Sequence, residues 1–210
     1  PPGAGPVLTG AGQGAAVRVL GVALAQKLRR TDADIHTAVK AWLDDPVSAE
    51  AEYGHITKWN VKAVTDMDKL FEDARSFNED VSGWDVSSVT NMRYMFFTAR
   101  CFNQDVSGWD VSSVTNMRSM FCGASSFNQD LSGWDVSNVT DMCSMFNQAS
   151  SFNQDVGGWD VSNVTDMGYM FYNARSFSQD VSGWDVSSVT DMNSMFSGAL
   201  SIPTWYRYYR

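Results

Sequence analysis

The chain has 210 residues, 44% of them hydrophobic, and a formal net charge of −9. That is enough for one domain or a short repeat array, too little for a multidomain enzyme, and too acidic for a strongly basic nucleic-acid binder. Three cysteines without a Cys-x-x-Cys pair and two histidines, His36 and His55, make neither a disulfide-dense scaffold nor a zinc site of Cys and His ligands.

In chain order, residues 1–30 read as an extended basic arm. They hold no Asp or Glu, four basic residues (Arg18, Lys27, Arg29 and Arg30) and much Gly, Ala and Pro. Such a composition is similar to that of organelle targeting segments or their mature remainders, and the absence of an initiating Met fits a processed chain. Residues 15–28 suit an amphipathic helix or a disordered arm. The arm is expected to dock on a large assembly or a membrane surface, although the longest apolar stretch, residues 19–25, falls far short of the about 20 residues that cross a bilayer. Residues 31–58 read as a helical cap. Thr31 and Asp34 form a capping-box pattern, Ile35, Val39, Trp42 and Leu43 make an apolar stripe at helical spacing, and Asp45-Pro46 stops the helix. This helix is expected to cover the open core edge of the segment that starts at residue 59.

From 59 to 199 the chain repeats. Tryptophan recurs at 59, 84, 109, 134, 159 and 184, always 25 residues apart. Counted from each Trp, Val stands at +2 and +5, Met at +8 and +11, Phe at +12, Ala at +15, Phe at +18, and Val or Leu at +22, with few exceptions. One unit cannot bury such a face alone, so successive units must stack. The expected fold is a right-handed α/β repeat solenoid, leucine-rich-repeat-like, of six coils. The alternation around Trp84-Asp85-Val86 predicts a short parallel strand in each coil, and Met92, Met95, Phe96 and Ala99 predict a helix of about two turns. Stacked Trp and Phe are core, since each buried aromatic removes about 150–250 Å² from water; the Met column packs with them rather than forming a thioether site. The Asn column at 78, 103, 128 and 153 reads as structural, satisfying turning backbone.

Residues 200–210 leave the repeat as an aromatic, basic tail. Ile202 stands where Phe is due, Pro203 breaks the pattern, and Trp205, Tyr206, Arg207, Tyr208, Tyr209 and Arg210 suit both a lid on the last coil and a partner contact. On the sheet face, Asp85, Asp110, Asp135, Asp160 and Asp185 form a row of carboxylates on adjacent strands. Neighbours about 5 Å apart repel by roughly 0.8 kcal/mol even in water. Either hydrogen bonds from Ser hydroxyls or amides of the next coil offset this, or the row recruits divalent cations or a basic partner. No phosphate loop, nucleophile elbow or HExxH occurs, and near-identical units leave no place for a catalytic site; no enzyme, cofactor or metal is expected. The cysteines fall at different places in their units and read as reduced thiols.

The pattern V-x-G-W-D-V-S-x-V-T-x-M-x-x-M-F-x-x-A-x-x-F-N-x-D, in Val81 to Asp105 and the later copies, resembles the BspA-like leucine-rich repeats of bacterial surface proteins and marine microalgae. The YGHITKWNV run ending the cap is similar to the lead-in of such arrays. In the first unit Asn60, Lys62, Ala63 and Leu70 depart from the pattern, as terminal units do. The resemblance implies a solenoid for protein binding or adhesion and carries no catalytic residues. The first expectation is therefore a non-catalytic interaction or scaffold protein, an accessory subunit of a larger organellar assembly such as a photosynthetic one, contacting it through arm, tail or sheet face and touching a membrane complex only peripherally. A cell-surface adhesion module and a surface for cations, ice or mineral are the alternatives. The net charge divides accordingly: residues 59–199 hold seven basic against eighteen acidic residues, a net −11, while both ends are basic or neutral.

Overall fold

The computed structural model describes residues 21–209; the side chains of Tyr208 and Tyr209 lie outside the description. Residues 21–28 are helical. A short strand β1 (Arg29–Thr31), helices α1 (Ile35–Asp44) and α2 (Pro46–Tyr53), a 3₁₀ turn (Ile56–Lys58) and strand β2 (Asn60–Ala63) come next. β1 pairs in parallel with β2, Arg29 opposite Asn60 and Thr31 opposite Ala63. Ile35, Ala38, Val39 and Trp42 are the buried face of α1. Asp45 ends α1 and starts α2, its carboxylate accepting from the amides of Val47 and Ser48 with Pro46 at the first helical position. The capping box is half present. Asp34 Oδ1 accepts from the Thr31 amide at 2.8 Å, but Asp34 itself is the N-cap of α1, so the helix begins after it. Among the described residues, no helix is long and apolar enough to cross a membrane.

Units 1 to 6, counted from their tryptophans, lie one against the next. The inward columns are buried in units 2 to 5 and partly buried at Ala74, Val186, Val189 and Ala199 of the end units: Phe71, Phe96, Phe121, Phe146, Phe171 and Phe196 stack with centroids 5.3–5.8 Å apart, and each of the first five also stacks on the second Phe of its own unit at 3.9–4.0 Å. Each indole of units 2 to 6 donates to a carbonyl 28 residues back, as Trp134 does to Val106 at 3.0 Å. The Asn column is structural: the Asn103 amide donates to Asn78 Oδ1, and the step repeats through Asn128, Asn153 and Ser178, each at 2.9 Å.

The backbone inside the units differs from the expected strand and helix. Trp84 and Val86 do point inward and Asp85 outward, but the stretch is not a strand. Asp85 binds the Ser87 amide, and the Val89 amide turns back to Val86 O, so the extended piece is too short to pair. Parallel bridges instead join Asp66, Asn91, Asn116, Asp141, Asp166 and Asp191, at +7. Nor is Met92–Ala99 a helix. Met95, Phe97 and Ala99 amides donate three residues back, while those of Met92, Tyr94, Phe96 and Thr98 donate to carbonyls of the next unit at 2.7–2.9 Å. Positive φ recurs at +10 and +14, as at Tyr94 (55°) and Thr98 (53°), the third position of turns that require it. A helix would close its amide bonds internally; this path sends every second one across to the neighbour while keeping the same four side chains inward.

Candidate interaction surfaces

The Asp row at +1 is exposed, and apart from the contact of Asp85 with Lys62 its hydrogen bonds stay within each unit rather than reaching the next one. Oδ1 of Asp85, Asp110, Asp135, Asp160 and Asp185 accepts from the amide of the Ser two residues on at 3.0–3.2 Å. In the first four it also accepts the Ser hydroxyl at 2.6–2.7 Å. These Ser bonds hold Asp85, Asp135, Asp160 and Asp185 below the ordinary carboxylate range. Lys62 adds an ion pair to Asp85 at 3.1 Å. Each carboxylate is thus part of a local turn, and among the described residues no group of three or more His, Cys, Asp or Glu side chains is placed to hold a metal ion.

Of the basic arm, Arg18 lies outside the described residues. Lys27 donates to Ala51 O at 2.8 Å, and Arg29 is exposed on β1. Arg30 corrects the expectation that it meets a partner, because it is only 3% exposed. Pairing of β1 with β2 turns it inward, where it bonds Asp34 at 2.7 Å and the Lys27 carbonyl, and its guanidinium lies over Tyr53 and Trp59 at 5.1 and 5.4 Å. It holds the cap together.

In the tail, Trp205 and Tyr206 take the lid rather than the partner contact. The Trp205 indole donates to Val181 O at 3.2 Å, extending the indole series by one. Tyr206 is buried, its hydroxyl donating to Met192 O and accepting from the Met195 amide, both at 3.0 Å. These two side chains form the lid. Arg207 is exposed; the side chains of Tyr208 and Tyr209, and Arg210 altogether, lie outside the described residues. Of the cysteines, Cys101 is exposed, while Cys122 and Cys143 are buried; burial pushes the Cys122 thiol up to about 11 and raises Cys143 as well.

A surface that repeat spacing alone does not single out lies on the turns. The inward columns barely change between units, whereas +9, +10, +13 and +14 change at almost every step and +16 at three of the five. Units 2 and 5 carry aromatics at +10 and +13 and Arg at +16: Tyr94, Phe97 and Arg100, then Tyr169, Tyr172 and Arg175. The aromatic pairs pack edge to face at 5.4 and 5.7 Å. Units 3 and 4, between them, carry Ser119, Cys122 and Ser125, then Ser144, Asn147 and Ser150. The result is a saddle with a groove of about 310 Å³, lined among others by Phe97, Arg100, Cys122, Gly123 and Gln148. Arg118 Nη1 bonds both Asp141 and Asp166 at 3.1 Å, and Arg93 bonds Asp68 at 3.0 Å. Arg100 and Arg175 are exposed and have no ion pair among the described residues. The signal was available in the sequence as columns that vary inside a repeat whose other columns do not.

Neither comparison, with curated proteins or with solved structures, returns a match. A family model described as a Mycoplasma protein of unknown function, DUF285, matches residues 45–138 and again, overlapping, 106–206. The two matches begin at the start of the second helix, run through all six units and take in the Trp205–Tyr206 lid, so the chain belongs to the DUF285 family.

Proposed function

We propose that this chain is a non-catalytic interaction protein: a leucine-rich-repeat-like solenoid of six 25-residue coils, of the BspA-like kind, serving as an accessory or scaffold subunit of a larger assembly. The observation that carries this reading is the division of labour between columns. Buried positions repeat with little change, and the amides bridge each unit to the next, so the scaffold needs no variation. The outward turn positions vary from unit to unit and concentrate Tyr, Phe and Arg, the residue types most enriched where binding energy is concentrated. Fixed stacking with a varied outer face is how a repeat array builds an extended binding surface. The test is native purification of the full chain from its source, with and without Tyr94→Ser and Tyr169→Ser. A defined protein that co-migrates with the parent and is lost from the double variant is the expected result. Migration of the parent as the bare chain under all gentle conditions would sink the reading.

A further inference from the structure

We infer that the saddle between units 2 and 5 is a peptide-binding site, and that its occupant is an extended segment running along the stack with two carboxylates about four residues apart. The inference rests on the interaction reading above and gives it a ligand chemistry. Its first support is the matched pair of posts. Units 2 and 5 alone combine an aromatic pair at +10 and +13 with Arg at +16, and the two units between carry small or amide side chains at the corresponding places. Tyr169 is 43% exposed, a large ring left facing outward.

The second support is charge. The repeat body has a net charge of −11, yet Arg100 and Arg175 are exposed without a carboxylate partner among the described residues, whereas Arg93 and Arg118 on the neighbouring +9 column are paired. Arg75, in the same +16 column, has Asp73 at 3.9 Å. An Arg fork selects a carboxylate by paired N–H donors.

The third is length. Three unit steps at the spacing of paired strands make about 14 Å, and an extended chain covers that in about four residues. A groove lies on the floor beside Arg100, and a second of about 250 Å³, lined by Gln148, Ser150, Asn173 and Arg175, continues it to the other post. The floor holds amide side chains to meet a peptide main chain. Gln148 lines both grooves and Asn173 the second, each with an amide that can both donate to and accept from a peptide main chain.

Selection of short displayed random peptides on the full chain, followed by fluorescence-anisotropy titration of the enriched sequence, tests this. Enriched peptides are expected to carry two acidic residues about four apart, on the extended-chain spacing. Arg100→Ala and Arg175→Ala should each raise Kd about tenfold, while Lys40→Ala and Lys58→Ala, at exposed basic positions of the cap, leave it unchanged. Arg100→Glu should abolish binding and recover it with a peptide whose matching acid is Lys, a rescue that a merely misfolded variant would not give. Enriched peptides that bind the Arg100→Ala/Arg175→Ala double variant as tightly as the parent would overturn the site and leave the interaction reading standing. Enrichment of nothing would overturn the peptide site alone, and the interaction reading would still be decided by what co-migrates with the native chain.

Discussion

At the first unit the stack lacks a preceding carbonyl, and at the last it lacks a following unit; the two ends meet these needs with different side chains. Within the stack, the Thr190 amide, the Thr190 hydroxyl and the Asp191 amide all converge on Thr165 O at 2.8, 3.0 and 3.4 Å. In unit 1 the same three donors, from Thr65 and Asp66, converge on the carboxylate of Asp32 at 2.7, 2.7 and 3.1 Å. A carboxylate with two oxygens stands in for one carbonyl. At the other end Trp205 and Tyr206 replace an indole and a turn that a seventh unit would bring. Around Asp32 stand two helices, a paired strand and the edge-on contacts of Trp42 with His55 and Trp59 at 4.7 and 6.3 Å. Around Trp205 there is one 3₁₀ turn, with Trp205 and Tyr206 edge-on to Phe196 at 6.2 and 5.2 Å, and Val186 and Val189 remain half-buried. Both ends are closed by packing as well as hydrogen bonds, but among the described residues one end draws on two helices and a paired strand, the other on a single 3₁₀ turn.

That difference is open to measurement. Trp42→Ala empties a buried site against unit 1 and should cost about 3–5 kcal/mol in urea unfolding. Tyr206→Phe keeps the ring and removes only the hydroxyl that serves Met192 O and the Met195 amide, so it should cost about 1–2 kcal/mol. If the two losses were equal, the two ends would be closed alike and the contrast would fail. Amide exchange gives the local version: amides of unit 6 should open in Tyr206→Phe well before those of unit 3.

The inward set was readable because burial needs only composition and period. Every Val, Met, Phe and Ala assigned to the core from the 25-residue spacing in units 2 to 5 is buried. The path of the backbone between them was not. Apolar residues at 0, +3, +4 and +7 fit a helix, but turns with a four-residue step place the same side chains inward. Gly123, Gly198 and Asn173 at +14 hint at positive φ, whereas Tyr94, Thr98 and Tyr169 at positive φ run against local preference. What decides is the amide bonding to the next unit, which lies 25 residues away in sequence. Arg30 escapes a local reading for a related reason: its basic neighbours suggest a solvated arm, and only the pairing of β1 with β2, which joins residues about thirty positions apart, turns it under Tyr53 and Trp59. The varied turn columns are legible by subtraction, once the constant ones have been set aside.

A smaller effect separates the Asp that closes the first unit from those of the exposed row. Burial opposes ionisation of Asp32, but the Thr65 hydroxyl, the Thr65 and Asp66 amides and the charge of His36 outweigh it and lower its pKa. A carboxyl whose pKa falls on folding stabilises fully above its unfolded value of about 3.9 and loses that contribution as pH drops through the folded one. Asp32→Asn should therefore cost about 1 kcal/mol near neutrality, a figure held down by exposure, and the gap from the parent should close below about pH 4.

Asp135→Asn should be smaller still, with no resolvable change in the urea midpoint. Asp135 uses a single oxygen, Oδ1, to accept from the Ser137 amide and hydroxyl, and an Asn carbonyl oxygen can do the same. Asp32 uses both of its oxygens; an Asn there keeps its Oδ1 on the two amides only if the Thr65 hydroxyl turns from donor to acceptor, and it loses the negative charge that three converging donors favour. A midpoint shift for Asp135→Asn as large as for Asp32→Asn would mean that the exposed row, too, holds one unit to the next, and would return it to the candidate surfaces that its turn-bound geometry now argues against.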